Sequence, residues 1–119
     1  MSLTAEQRQE IRNAPEVVIE TKRGDRVTGT VIWVAVGDDS VYVRSVRGES
    51  GHWYQRAVAD PEVALRVGDH RFEFRAIPAN DPDSIETASE ALRRKYRGRS
   101  LENMLLPEIL GTTLRLEPR

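Results

Sequence analysis

The chain has 119 residues, 39% apolar and 31% charged, a balance that fits one folded domain and argues against a disordered segment. A net charge of −1 gives no overall field toward nucleic acid or membrane, and the absence of cysteine removes disulfides, thiolate nucleophiles and thiolate zinc sites. Two histidines, His52 and His70, are too few for a dedicated metal cluster, and no apolar run nears the roughly 20 residues of a membrane helix. These totals point to a cytoplasmic protein with neither a nucleic-acid nor a membrane partner.

In chain order, SLTAEQRQEIRNAP predicts a short helix, capped by Thr4 with Gln7 as its capping-box partner and ended by Pro15. VVIETKR (17–23) then reads as a strand, Gly24-Asp25 as a hairpin turn, and RVTGTVIWVAV (26–36) as one long return strand. After a turn at Gly37-Asp38-Asp39, SVYVRSV (40–46) alternates. Val41, Val43 and Ser45 share one face, and Tyr42, Arg44 and Val46 the other.

A glycine loop leads into WYQRAVADP, a short helical turn ended by Pro61. A second hairpin follows: EVALRV (62–67), the turn Gly68-Asp69, and HRFEFRAI (70–77). Asp81-Pro82 starts a helix that turns Ile85, Ala88, Leu92 and Tyr96 toward the core and stops at Gly98. Ser100 is a cap for a further helix, SLENMLLPEIL, disturbed by Pro107 and closed by Gly111, before a last strand TTLRLEP (112–118). Six strands in tight hairpins, with helices near both ends, predict an α+β fold: a single domain over 1–119 built on a small antiparallel barrel.

Two clusters carry candidate chemistry. In TKRGDRVTGT, Lys22, Arg23 and Arg26 surround a glycine turn, and Thr28 and Thr30 share the Arg26 face; these are groups that a phosphate needs, but on physics alone a charged hairpin tip is the favoured reading. In VYVRSVRGESGHWYQR, Arg44 sits over a groove while Trp53 and Tyr54 form a flat aromatic wall and Arg56 adds an anion-binding fork. The alternative is that the aromatics plug the barrel and the arginines are solvated. The run RRKYRGR (93–99) places five cations at a helix C-terminus, where they complement the helix dipole. No serine or cysteine triad is present.

The basic hairpin, TVIWVAVGDDSVYVRS, the glycine loop and WYQRAVADPEVALRVGDHRFEFRAI together resemble the split-barrel flavin-binding superfamily. That superfamily includes pyridoxamine 5'-phosphate oxidase-like and deazaflavin-dependent nitroreductase-like proteins. VYVRSVRG–GHWYQR with a terminal TTLRLEP is similar to a compact family of uncharacterised bacterial proteins within it. The resemblance implies a six-stranded split barrel and a homodimer with a flavin (FMN) or deazaflavin at its interface. It places Lys22, Arg23, Arg26 and Thr28 at the phosphate, Ile32 and Trp33 near the isoalloxazine edge, and Arg44 and Ser45 on the adjacent strand; Trp53, Tyr54 and Arg56 close the pocket. The implied function is a flavin- or deazaflavin-binding, oxidoreductase-like protein, with a non-enzymatic module for a small anionic ligand or protein partner as the alternative.

Overall fold

In the computed structural model, which describes residues 2–119, α1 (Ala5–Asn13) opens on a reciprocal cap. The Thr4 hydroxyl accepts from the Gln7 amide at 3.0 Å, and the Gln7 side chain accepts from the Thr4 amide at 2.8 Å. Strands β1 (Val17–Arg23) and β2 (Arg26–Ile32) form the first hairpin, and β3 (Ala35–Gly37) and β4 (Ser40–Val43) the next. The second of these turns on Asp38 and Asp39, both left-handed at φ 52° and 64°, a conformation that aspartate tolerates through local side-chain bonding. A 3₁₀ turn at Gly48–Ser50 leads into α2 (His52–Ala59), and β5 (Glu62–Val67) and β6 (His70–Pro78) pair as the third hairpin. Asp81 caps α3 (Pro82–Lys95) by accepting from the Ser84 amide at 3.0 Å. Two short helices, α4 (Arg99–Asn103) and α5 (Pro107–Leu110), precede β7 (Leu114–Pro118).

The seven strands form one antiparallel sheet in the order β2-β1-β5-β6-β7-β4-β3. The strand count corrects the expected six, because the run 26–36 breaks at Trp33-Val34. That break has a geometric cause. β2 and β3 lie at opposite edges of the sheet yet are joined by only two residues, which span about 10 Å. Laid flat, six inter-strand spacings would separate those edges by about 29 Å, so the sheet must curl until its edges nearly meet. The result is a barrel left open along a seam between β2 and the β3–β4 hairpin.

Other boundaries differ as well. β4 ends at Val43 rather than 46, because Arg44 and Ser45 are drawn into side-chain bonds outside the ladder. The helix expected from Ser100 is two pieces, with Gly98 rather than Ser100 at the first N-cap and Pro107 starting the second. β7 begins at Leu114, while Thr112 and Thr113 form a buried turn before it.

The inner face of the curl holds the main core, including Ile19, Leu65, Phe74, Val41 and Leu116, closed by Ile11 of α1 and by Trp53 and Ala57 of α2. Helix α3 covers the other side of the β3–β4 hairpin, burying Ala88 against Tyr42, and Ala91 and Leu92 near Ala35. Gly37 permits this approach: a Cβ there would lie 3.0 Å from the Thr87 methyl and 3.2 Å from its carbonyl oxygen. No helix is long and apolar enough to cross a membrane among the described residues.

Candidate functional site

The open seam is a cleft of about 690 Å³. One wall is β2, whose alternation turns Thr28, Thr30 and Ile32 inward and leaves Val27 outside, with the largely exposed Val31 at the rim. The corner residue Trp33 continues that wall. Opposite stand Ser100 and Asn103 from α4 and Met104 at its C-cap. One end is formed by the segment after β4 (Arg44 to Arg47) and by the start of α2. There, helical spacing brings His52 and Arg56, four apart, to the cleft together with Trp53.

Trp33 is held from behind. Its indole stacks on the Tyr96 ring with centroids 3.7 Å apart and planes within 3°. The Tyr96 hydroxyl donates to the Pro15 carbonyl at 2.7 Å and accepts from the Val34 amide at 3.4 Å. The aromatic wall is therefore anchored to the end of α3, to Pro15 in the segment between α1 and β1, and to the β2–β3 corner at once.

Arg44 occupies a different place from the one its strand position suggests. It is 3% exposed and points under α3 rather than lying across the groove. Its Nε donates to Thr113 Oγ1 at 2.9 Å, its Nη1 to Ser89 Oγ at 3.1 Å and the Met104 carbonyl at 2.9 Å, and its Nη2 to the Ile85 carbonyl at 3.3 Å. One guanidinium thus ties the end of β4 to α3, α4 and the turn before β7. All four partners are neutral. Burial, with repulsion from Arg93, pushes the Arg44 guanidinium down to about 10.

Ser45 is also buried. Its amide donates to Thr112 Oγ1 at 3.1 Å and its hydroxyl to the Gly48 carbonyl at 2.7 Å, closing the turn that delivers Arg47 and Gly51 to the cleft.

The cleft brings together Thr28, Ile32, Trp33, Arg44, Ser45, Trp53 and Arg56. Lys22, Arg23, Arg26 and Tyr54 stand outside it, and each departure has a cause. Thr21 points into the core, so strand alternation sends Lys22 to the outer face, where it pairs with Glu62 at 2.9 Å and holds that carboxyl below its usual range. Arg23 and Arg26 face each other at the exposed hairpin tip, beyond the rim. Tyr54 packs half-buried against the main core, edge-on to Trp53 at 6.2 Å.

Glu16, Thr30, Arg47, His52, Ser100, Asn103 and Met104 also line the cleft. Thr21 belongs with them as a positioning residue, since its hydroxyl accepts from Arg56 Nε at 2.8 Å. The α4 residues carry no signal of this role in sequence, because Ser100 and Asn103 suit any short polar helix.

Behind the wall, Lys95 is half-buried, its ammonium donating to the Val34 carbonyl at 2.8 Å and the Ile11 carbonyl at 3.3 Å, without a carboxylate partner among the described residues. Burial pushes it down from 10.5 to about 8. Between those values the unfolded chain binds the proton and the folded one has released it, so the Lys95 contribution makes stability rise with pH. The expected rise from pH 8 to pH 10 is about 1 kcal/mol, reduced from the full linkage value because the amine is partly solvated. Tyr96, pushed up to about 12 by burial, works in the opposite sense above pH 10. Denaturant melts at stepped pH should show the rise in the wild type and a flatter profile in Lys95→Met; parallel profiles would remove Lys95 as its source.

Comparison with solved structures places this architecture. A conserved hypothetical protein from Mycobacterium tuberculosis superposes with a TM-score of 0.76 at 17% identity, covering 100% of this chain and 82% of its own. The heme storage protein HutZ from Vibrio cholerae gives 0.69 at 12% identity, covering 100% and 92%. An FAD binding protein from Mycobacterium smegmatis gives 0.67 at 16% identity, covering 99% and 91%. At these identities the likeness establishes the split-barrel fold. Among curated proteins nothing matches the chain. Residues 7–116 match the family described as "Uncharacterized protein conserved in bacteria (DUF2255)", and the chain belongs to that family.

Proposed function

We propose that the seam cleft binds a flavin or deazaflavin and that the protein is an oxidoreductase-like carrier of that cofactor. The observation that carries this reading is Trp33: a flat indole, braced by a parallel tyrosine, forms the wall of a cleft of about 690 Å³. That volume lies in the roughly 300–1,000 Å³ range of small-molecule sites. The lining suits a flat heterocycle with polar edges. Trp33 and Ile32 offer apolar surface to a ring, and the Thr28, Thr30 and Ser100 hydroxyls and the Asn103 amide are available to its heteroatoms. A flavin, when bound, supplies hydride and single-electron transfer; the protein contributes position, exclusion of water and hydrogen bonds. An FAD binding protein among the structural neighbours supports the choice of cofactor class.

We further propose that a second copy of the chain covers β2. Val27 and Val31 are 56% and 61% exposed on this edge strand, beside the cleft, where burial against a partner would remove apolar surface from water. A cofactor-free module for a small anionic ligand is the second reading, favoured by the arginines at the cleft's end.

Both tryptophans of the chain line the cleft, so its intrinsic fluorescence reports on occupancy. Titration with FMN, FAD or a deazaflavin should quench this emission saturably, and Trp33→Phe should remove most of the quench while weakening binding. Emission unchanged by every flavin would sink the cofactor reading.

A further inference from the structure

Lys22 and Lys95 are the only lysines of the chain, and they stand in opposite settings. Lys22 lies on the outer face of the sheet with its ammonium paired to Glu62 at 2.9 Å. Lys95 forms no ion pair among the described residues. Its Nζ lies 2.8 Å from the Val34 carbonyl oxygen, 3.3 Å from that of Ile11 and 5.3 Å from the centre of the Tyr96 ring. This setting suits an amine better than an ammonium. An ammonium brings three protons to two carbonyl acceptors, whereas a neutral amine brings two and its lone pair takes the remaining tetrahedral position. A half-buried cation also loses hydration that two neutral carbonyls replace only in part. Burial accordingly pushes Lys95 down to about 8. The surface around this amine is cationic. Arg93 and Arg94 are paired with Glu86 and Glu90 at 3.5 and 3.2 Å, but Arg97 and Arg99, both exposed, have no ion pair among the described residues.

We infer that Lys95 is an acylation site, at which the amine takes an acyl group from a small acyl phosphate attracted by the unpaired arginines beyond the end of α3. The Nζ lone pair attacks the acyl carbon and forms an N–C bond. The C–O bond to the phosphate breaks, inorganic phosphate leaves with the electron pair, and the proton lost by the nitrogen passes to solvent. The product is a neutral secondary amide, which costs less to bury than an ammonium. It keeps one N–H, enough for the Val34 carbonyl, and gives up the bond to Ile11. One tie between α1 and the corner behind Trp33 is thereby removed, so acylation acts on the back of the cleft wall without touching its lining. None of this chemistry depends on what the cleft binds.

Wild-type protein incubated with acetyl phosphate at neutral pH, with the modified positions read by peptide mass spectrometry over time, tests the site, and Lys22 is the internal control. In the folded protein Lys95 should acylate about tenfold faster than Lys22, because its larger neutral fraction outweighs the lower basicity of the attacking nitrogen. In concentrated urea both side chains are solvated and the two rates should converge. The double variant R97A/R99A, altered at two exposed positions, should slow Lys95 toward acetyl phosphate and leave its rate with an uncharged acetylating ester unchanged. Hydrogen exchange at the last turn of α1 should quicken in the acylated protein, as the Ile11 carbonyl loses its partner. Equal rates at the two lysines of the folded protein, a faster Lys22, or modification of Lys95 only in urea would overturn the site. Rates with acetyl phosphate that are the same in R97A/R99A as in the wild type would overturn the part given to the arginines.

Discussion

Arg44→Ala should melt roughly 10 °C below the wild type, a loss of about 3 kcal/mol for a domain of this size. The truncation removes four hydrogen bonds at once and leaves the Met104 and Ile85 carbonyls and the Thr113 and Ser89 hydroxyls facing a hole. Those acceptors belong to α3, α4 and the turn before β7, so the loss propagates to the α4 wall of the cleft. Arg44→Lys should recover little of it: one ammonium on a flexible stem cannot reach acceptors spread around a planar fork. Differential scanning calorimetry checks both variants. An unchanged melting temperature in Arg44→Ala would mean that the four bonds contribute nothing net after the cost of burying the charge.

The second large effect is expected at Gly51. Its backbone is ordinary, at φ −64° and ψ 130°, so any residue could adopt it; space is the constraint. A Cβ there would lie 2.4 Å from Ser45 Oγ and 3.4 Å from the Gly48 carbonyl oxygen. Ser45 is fully buried and bonded to that same carbonyl, so it has no free rotamer to retreat into. Gly51→Ala should therefore cost about 2 kcal/mol by overpacking. Ligand binding should weaken as well, because the turn that must open carries Arg47 and leads into His52. Adding Ser45→Ala removes the clashing oxygen and should restore part of the stability, a coupling of about 1 kcal/mol in a double-mutant cycle. Strictly additive losses would show that the two side chains do not meet.

The hairpins at 17–32 and 62–78 were legible in the sequence, since their turns carry Gly-Asp pairs and their buried positions alternate along the strands. The seam was not. β-formers run almost without interruption from Val31 to Val36, and the corner at Trp33-Val34 exists only because the curled sheet brings its two edges together. Alternation put Arg44 on the correct face, but its partners lie 41 to 69 residues away and two of them are main-chain carbonyls, which no residue pattern encodes. The basic hairpin misled for the opposite reason. Its composition suits a phosphate, yet alternation places Lys22 on the outer face, and the tip carries Arg23 and Arg26 past the cleft. Helical spacing turned Tyr96 toward the core, but its stacking partner Trp33 is 63 positions earlier in the chain and no residue pattern pairs the two.

The central claim, a flavin or deazaflavin held in the seam of a split barrel, is tested most directly by native mass spectrometry of the protein incubated with FMN, FAD and a deazaflavin. The expected spectrum shows a dimer carrying bound flavin, which leaves as an intact cofactor on denaturation. A spectrum holding only the bare chain with each of the three would contradict the claim.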